Sequence, residues 1–291
     1  MDNRFVFIAP AYNAEGTVER MLSSIFLQSW TNWKVLIKDD LSTDDTVWKI
    51  VKVCDKFNIK WCVKTDNNDL GAQQKSAKVV VWVNDEKKWE VQNVLEMIRS
   101  DLVKDDDIIC RIDCDDALSD LCALQDIDLV YKNTNCDVVW TSHRWSWNFT
   151  KSISGPIPGG YVFDPRKKSL LLKCNGEKNP YKNEWKTSHL KTFRKELINN
   201  VDEENFKGKD GEYIKRTGDQ AIYLPVLHKS KMPVYLPRQV YYYEIEDVPE
   251  TYQTDDAKFQ ADEASFLRGR GFVNKKENKK NCKKEVKNDK V

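Results

Sequence analysis

The chain has 291 residues, 47 Lys and Arg against 46 Asp and Glu, a formal charge of +1 and 40% hydrophobic residues. That length suits one large α/β domain or two small ones, and the balanced charge gives no reason to expect nucleic acid as a partner. No apolar run approaches the roughly 20 residues of an integral membrane segment, and M-D-N-R leads straight into F-V-F-I-A, so a soluble cytoplasmic protein without a signal peptide is expected.

Residues 4–9 (R-F-V-F-I-A) predict a first strand, broken by Pro10-Ala11-Tyr12-Asn13. From Thr17, the apolar residues Val18, Met21, Leu22, Ile25 and Phe26 recur at helical spacing and predict a helix with one face on a sheet. Residues 33–38 (W-K-V-L-I-K) predict a second strand ending in Asp39 and Asp40. Ser42 and Thr43 can cap the next helix, whose stripe is Val47, Ile50, Val51 and Cys54. A third strand, 59–64, leads through the polar turn 65–71 into a helix expected over 72–83. Asn84 to Lys88 breaks the pattern before another helix, 91–103. The strand 107–112 (D-I-I-C-R-I) then ends abruptly in Asp113, Asp115 and Asp116.

The order β-α-β-α-β-α-β implies parallel strands with crossover helices on both sheet faces. Ligands of such sheets bind outside the carboxyl ends of the strands, where Asp40 and Asp113 both fall. Three crowded carboxylates repel by roughly 1 to 4 kcal/mol per pair, a cost that a hard divalent cation removes. An Asp-x-Asp-Asp at a strand end therefore suits a cation that also binds a nucleotide diphosphate. The alternative is a solvated acidic turn or a helix start capped by Asp.

Beyond Asp116, a helix is expected over 119–131 and a strand over 136–141. Next come the aromatic stretch His143-Arg144-Trp145-Ser146-Trp147 and the Pro/Gly-rich loop 152–160, which reads as a lid, an acceptor-binding segment or a plain connection. Residues 185–194 lead into a short helix. Thr217-Gly218-Asp219-Gln220 precedes the apolar run 221–227, and two short strands are expected at 234–236 and 239–245. Residues 274–291 hold eight lysines against three acids and read as a disordered tail. The eight cysteines include no C-x-x-C pair and read as reduced, buried thiols. Asn148-Phe149-Thr150 is a glycosylation sequon that matters only in a secreted chain.

With these elements in place, the chain resembles the family 2 glycosyltransferases, with their GT-A fold, in four places and in order. F-I-A-P-A-Y-N-A-E-G-T-V is similar to the family's opening strand and P-x-Y-N turn, and L-I-K-D-D-L-S-T-D-D-T to its D-D-G-S-T-D-x-T element. D-C-D-D matches its D-x-D-D motif, and S-H-L-K-T-F-R followed by G-D-Q-A resembles its acceptor-side elements, the whole covering residues 5–245. The resemblance implies a Rossmann-type, mostly parallel α/β sheet with helices on both faces and a smaller acceptor-side region. Residues 1–118 would be the nucleotide-sugar-binding half, 119–272 the acceptor-side half of the same domain, and 273–291 a Lys-rich disordered tail.

The same resemblance implies that Pro10, Tyr12, Asn13, Asp39, Asp40 and Asp113 contact the nucleotide of a UDP- or GDP-sugar. Asp113, Asp115 and Asp116 would hold Mn²⁺ or Mg²⁺, with Asp115 the first choice and His189 a further ligand candidate. Asp219 would be the base of an inverting transfer to a hydroxyl of a glycan, glycoprotein or glycolipid. The chain departs from the family pattern at four points. Leu41 replaces a usual Gly, which implies a non-glycine turn conformation. Gln74, Lys75 and Ser76 stand where an Arg-Asn pair is usual, an inserted helix occupies 84–103, and Gly218 replaces the Glu that often precedes the base. The competing readings are a sugar nucleotidyltransferase, which would need a Gly-rich basic loop where P-A-Y-N-A-E-G stands, and a catalytically inactive GT-A-like protein that binds glycans or a partner. D-C-D-D-A-L lacks the spaced ligands of a calcium loop.

Overall fold

The computed structural model describes residues 2–65, 71–146, 154–244 and 255–274. Strands β1 (Phe5–Ala11), β2 (Trp33–Asp39), β3 (Trp61–Thr65), β4 (Val79–Val83) and β5 (Ile108–Arg111) form a parallel array in the order β3-β4-β2-β1-β5. The helices between them are α1 (Val18–Phe26), α2 (Thr46–Lys56), α3 (Ala72–Ser76) and α4 (Trp89–Ile98). Successive β1 side chains point to opposite faces, so Phe5, Phe7 and Ala9 join one core with Met21, Leu22 and Ile50 of α1 and α2. Val6 and Ile8 join the other with Val91, Val94 and Leu95 of α4. A strand covered on both faces has no place for polar alternation, which is why F-V-F-I-A is apolar throughout.

The chain continues with β6 (Ala117–Leu118), α5 (Ala123–Asn133), β7 (Val138–Trp145), β8 (Tyr161–Asp164), β9 (Ser169–Lys173), β10 (Lys191–Arg194), α6 (Glu196–Asn199), α7 (Gly218–Lys229), β11 (Pro233–Tyr243) and α8 (Asp255–Arg270). These strands extend the sheet as β5-β10-β7-β11-β8-β9, with β6 paired to β11. Strand β10 runs antiparallel between β5 and β7, and β11 runs parallel to β7. The result is one mixed, mostly parallel sheet with helices on both sides.

Several expected elements are corrected. The helix placed over 72–83 stops at Ser76, and V-V-V-W-V is β4, buried between β2 and β3, because a run of β-branched residues fits a strand covered on both faces better than a helix. Helix 91–103 spans 89–98 and is a crossover helix packed on β1 and β2, so the supposed insertion belongs to the framework. Ser42 and Thr43 do not cap α2, whose N-cap position is Asp45; both instead bond Asn13 of the neighbouring loop. The two strands expected at 234–236 and 239–245 are one strand, β11, with register shifts flanking Gln239.

Strands β8, β9 and β10 and helix α8 escaped the sequence reading. The apolar residues of α8 form no single stripe; it is held by the buried Leu267 together with polar side chains that bind the chain beneath it. The seven cysteines among the described residues are free, five of them buried. No described helix is long and apolar enough to cross a membrane. The expected tail lies outside the described residues from position 275 onward, as do the sequon and the loop as far as residue 153.

Candidate active site

Strand β1 has β2 on one side and β5 on the other; the chain runs from β1 through α1 to β2, but crosses back through α4 to β5, and a crevice opens at the carboxyl ends where the order reverses. Asn13, at φ +50°, turns the chain out of β1 and stitches it to the next loop. Its N–H donates to Ser42 Oγ at 2.9 Å, and its Oδ1 accepts the Thr43 N–H at 2.8 Å. Leu41 has φ +65°, the left-handed conformation a glycine would favour, so the expected non-glycine turn is not what forms. Asp39 folds back onto that turn, accepting the Ser42 hydroxyl at 2.5 Å. Asp40 accepts the Lys88 and Trp89 N–H groups at 2.8 and 2.9 Å and so pins the start of α4. Burial alone would raise the Asp40 carboxyl, but these donors, with the Asn93 and Asn84 amides, hold it below its ordinary range.

Between these loops lies a cleft of about 400 Å³, walled by Pro10, Tyr12, Asp40, Lys87, Trp89, Glu90, Asn93, Asp113, Lys215 and Arg216. Lys87 Nζ stands 3.2 Å over the Tyr12 ring, and the Arg216 guanidinium 5.1 Å from the Trp89 ring. Trp89 takes φ +61°, an unusual backbone for a bulky residue and one that stores strain at the cleft wall. The mouth is thus aromatic and basic, and the floor is acidic. Of the residues expected to contact donor, Pro10, Tyr12, Asp40 and Asp113 line this cleft, whereas Asn13 and Asp39 brace its loops from outside it. Gln74, Lys75 and Ser76 are in α3, away from it. Asn93 of the Gln92-Asn93 pair, one helix later, lies on its wall.

At the end of β5, the buried Arg111 guanidinium lies 2.9 Å from Asp113 and also pairs with Glu90. Against the cost of burial, that positive charge keeps Asp113 below the usual carboxylate range. Asp113, Asp116 and His189 each offer a ligand atom within 4.8 Å of the others. Asp116 accepts the Tyr241 hydroxyl at 2.6 Å and the Glu244 N–H at 2.9 Å. His189 stacks on Tyr241 and Tyr243 of β11, with ring centroids 4.8 and 5.0 Å away, and its buried Nδ1 has no hydrogen-bond partner among the described residues. Burial and the nearby Lys191 and Arg111 charges hold the imidazole neutral, as a metal ligand must be. Two carboxylates and an unsatisfied imidazole fit a divalent cation, Mn²⁺ better than Mg²⁺, which prefers oxygen alone. Asp115 is exposed and stands outside this trio. Partial shielding of its carboxyl from water by the surrounding chain and the neighbouring Asp113 charge push it up to about 6.

Asp219 lies in the first turn of α7, and Lys191 Nζ of β10 lies 3.4 Å from its Oδ2. Lys191 pairs in register with Arg111 across β5, which brings the acceptor-side strand to the acidic end. The preceding Gly218 packs against the Glu90 carboxylate so closely that a Cβ there would overlap it. From α8, the Glu263 carboxylate accepts the N–H groups of Lys215, Arg216 and Thr217 at 3.0, 2.8 and 3.2 Å and holds the loop before α7. Sequence reasoning missed Glu90, Arg111, Lys191 and Glu263. A single cation inside an apolar strand, as in I-I-C-R-I and H-L-K-T-F, was the signal for two of them, because such a charge is buried only beside a partner.

The sequence model of glycosyl transferase family 2 matches residues 6–202. The chain belongs to glycosyl transferase family 2. A 56-residue segment of this family 2 chain is 41% identical to UDP-Glc:alpha-D-GlcNAc-diphosphoundecaprenol beta-1,3-glucosyltransferase WfgD of Escherichia coli, covering 19% of the chain and 22% of that relative. The fold is similar to that of S. aureus TarS 1-349 in complex with UDP-GlcNAc, at TM-score 0.59 and 15% identity over 86% of this chain and 61% of that one. It is also similar to the mannosyltransferase PcManGT from Pyrobaculum calidifontis in complex with GDP-Man and Mn²⁺, at TM-score 0.50 and 13% identity over 86% and 59%. At those identities the likeness establishes the GT-A fold. This family 2 chain spans less than two thirds of the length of each of these proteins.

Proposed function

We propose that this chain is an inverting, metal-dependent glycosyltransferase that moves a sugar from a UDP- or GDP-sugar to a hydroxyl of a glycan, glycoprotein or glycolipid. The observation that carries this reading is the meeting, at one sheet edge, of the Asp113, Asp116 and His189 ligand atoms with the Asp219–Lys191 pair beside a cleft rimmed by Tyr12, Trp89 and three cations. The UDP-GlcNAc of TarS and the GDP-Man and Mn²⁺ of PcManGT are ligands of the same chemistry.

In this reading Pro10, Tyr12 and Asp40 take the nucleoside, and Lys87, Lys215 and Arg216 draw the diphosphate to the cleft. Asp113, Asp116 and His189 hold the cation, which when bound neutralises the diphosphate and the charge left on the departing nucleotide. Asp219 takes the proton of the acceptor hydroxyl as that oxygen bonds to the anomeric carbon and the sugar–phosphate bond breaks on the opposite face. Lys191, buried and on a strand, fixes the Asp219 carboxylate in place. Residues 1–118 supply most of the donor contacts, and 119–272 supply the acceptor side together with His189, Lys215 and Arg216 on the donor.

The test is a panel of UDP, GDP and their sugars, with and without Mn²⁺, read by thermal shift and by release of free nucleotide. Stabilisation by one nucleotide that needs Mn²⁺, together with an Asp219→Asn variant that binds nucleotide but releases none from the sugar donor, supports the proposal. Metal-independent glycan binding with no donor turnover would replace it with the inactive-module reading.

A further inference from the structure

We propose that Glu90, held by Arg111 on the cleft floor, selects the transferred sugar by accepting hydrogen bonds from its hydroxyl groups. This rests on the donor reading above and adds a residue to it.

Glu90 is the second residue of α4, and its direction is set by two constraints on the residues before it. Asp40 fastens the Lys88 and Trp89 N–H groups, and Trp89 holds the left-handed backbone that swings the helix start into the cleft. Glu90 Oε1 pairs with Arg111, whose side chain is 6% exposed, while Oε2 has no protein donor among the described residues. A carboxylate has about four acceptor positions, so acceptor capacity remains on a residue that lines the cleft.

The placement matters as much as the chemistry. Glu90 shares Arg111 with Asp113 and abuts Gly218, the neighbour of Asp219. It therefore stands between the proposed cation ligands and the proposed base, the interval a sugar must occupy while its anomeric carbon is attacked. A third carboxylate there adds like charge beside Asp113 and Asp219, which Arg111 and Lys191 offset only in part, and vicinal hydroxyls supply further donors. Gly218 completes the pair: any side chain at 218 would enter the volume that the Glu90 carboxylate fills.

The competing role is a counter-ion for Arg111 with no ligand contact. Affinities for UDP and for GDP, and for the glucose, galactose, N-acetylglucosamine and mannose derivatives of each, measured with Mn²⁺ by calorimetry, separate the two. For Glu90→Gln we expect the free nucleoside diphosphate to bind within about twofold of wild type, while the tightest nucleotide sugar weakens at least tenfold. Gly218→Ala, whose Cβ displaces the Glu90 carboxylate, should reproduce that loss in a folded protein. Glu90→Ala combined with Gly218→Glu, which returns a carboxylate from the other side, should recover part of it. Equal weakening of nucleotide and nucleotide sugar, or no change in either, overturns the proposal and leaves Glu90 a counter-ion. Wild-type protein that binds no nucleotide in the panel overturns the donor reading itself.

Discussion

Lys191 and Asp219 form an ion pair of 3.4 Å in which the lysine side chain is 1% exposed and the aspartate 28%. The asymmetry decides which partner is harder to lose. Asp219→Asn leaves an ammonium in the protein interior with one counter-charge fewer, and should lower stability by about 1–3 kcal/mol. Lys191→Met leaves a carboxylate that water can reach, and should cost less. Urea denaturation of the two variants checks the order, and a larger loss for Lys191→Met would contradict it.

Leu41 carries a left-handed backbone that costs an L-residue about 1–2 kcal/mol, and its partly exposed side chain contributes little packing. Leu41→Gly removes that penalty, and the greater freedom of glycine in the unfolded chain takes back roughly half of it. The expected gain is up to ~1 kcal/mol, visible as a higher denaturation midpoint with an unchanged slope. A lower midpoint would show that the turn is not strained.

Burial and the Asp113 and Asp219 charges, opposed by Arg111, raise the Glu90 carboxyl from an ordinary 4.5 to about 7. Below pH 4.5 Glu90 is neutral both folded and unfolded. As pH climbs to 7 the unfolded chain ionises it first, so wild type loses stability relative to Glu90→Gln across that window, by no more than about 3 kcal/mol. Above pH 7 the difference should be flat. Parallel stability curves for the two proteins from pH 4 to 8 would refute the raised carboxyl.

Mn²⁺ affinity in the presence of UDP or GDP, followed by electron paramagnetic resonance, should fall at least tenfold for His189→Ala and for Asp113→Asn. Asp115→Ala, on an exposed residue outside the converging trio, should change it by less than about threefold. The reverse order would return the metal to Asp115, the first choice that the family resemblance implied.

Glu263→Ala frees three N–H groups of the loop that carries Lys215 and Arg216 into the cleft wall. A loss of about 1–2 kcal/mol is expected, with nucleotide affinity reduced and Glu263→Gln intermediate. Unchanged affinity would mean that the loop keeps its shape without this anchor.

Much of the first half was legible because parallel strands buried on both faces write themselves as unbroken apolar runs, and each ends in a polar turn at the edge that binds ligand. The same rule hid β4, since V-V-V-W-V, two residues after the helical A-Q-Q-K-S, reads as the continuation of one helix. The site was legible as far as its acidic end. Glu90 was not, because its meaning depends on Gly218, 128 positions later, and no local pattern joins a helix start to the absence of a side chain elsewhere. Strand β10 and helix α8 carry too few apolar residues in period to announce themselves; their places are fixed by Lys191, Glu263 and Arg268, whose partners are distant in sequence.

The match to the family ends at residue 202, yet Glu263 and Arg268 of α8 reach back to buttress the turn that bears Asp219. A fragment trimmed to the recognisable segment would keep the loops after β1, β2 and β5 and forfeit Lys215 and Arg216 of the cleft wall, Asp219 and their scaffold. On the proposed reading the working unit is longer than the hereditary signature, and the last of the described helices is its keystone.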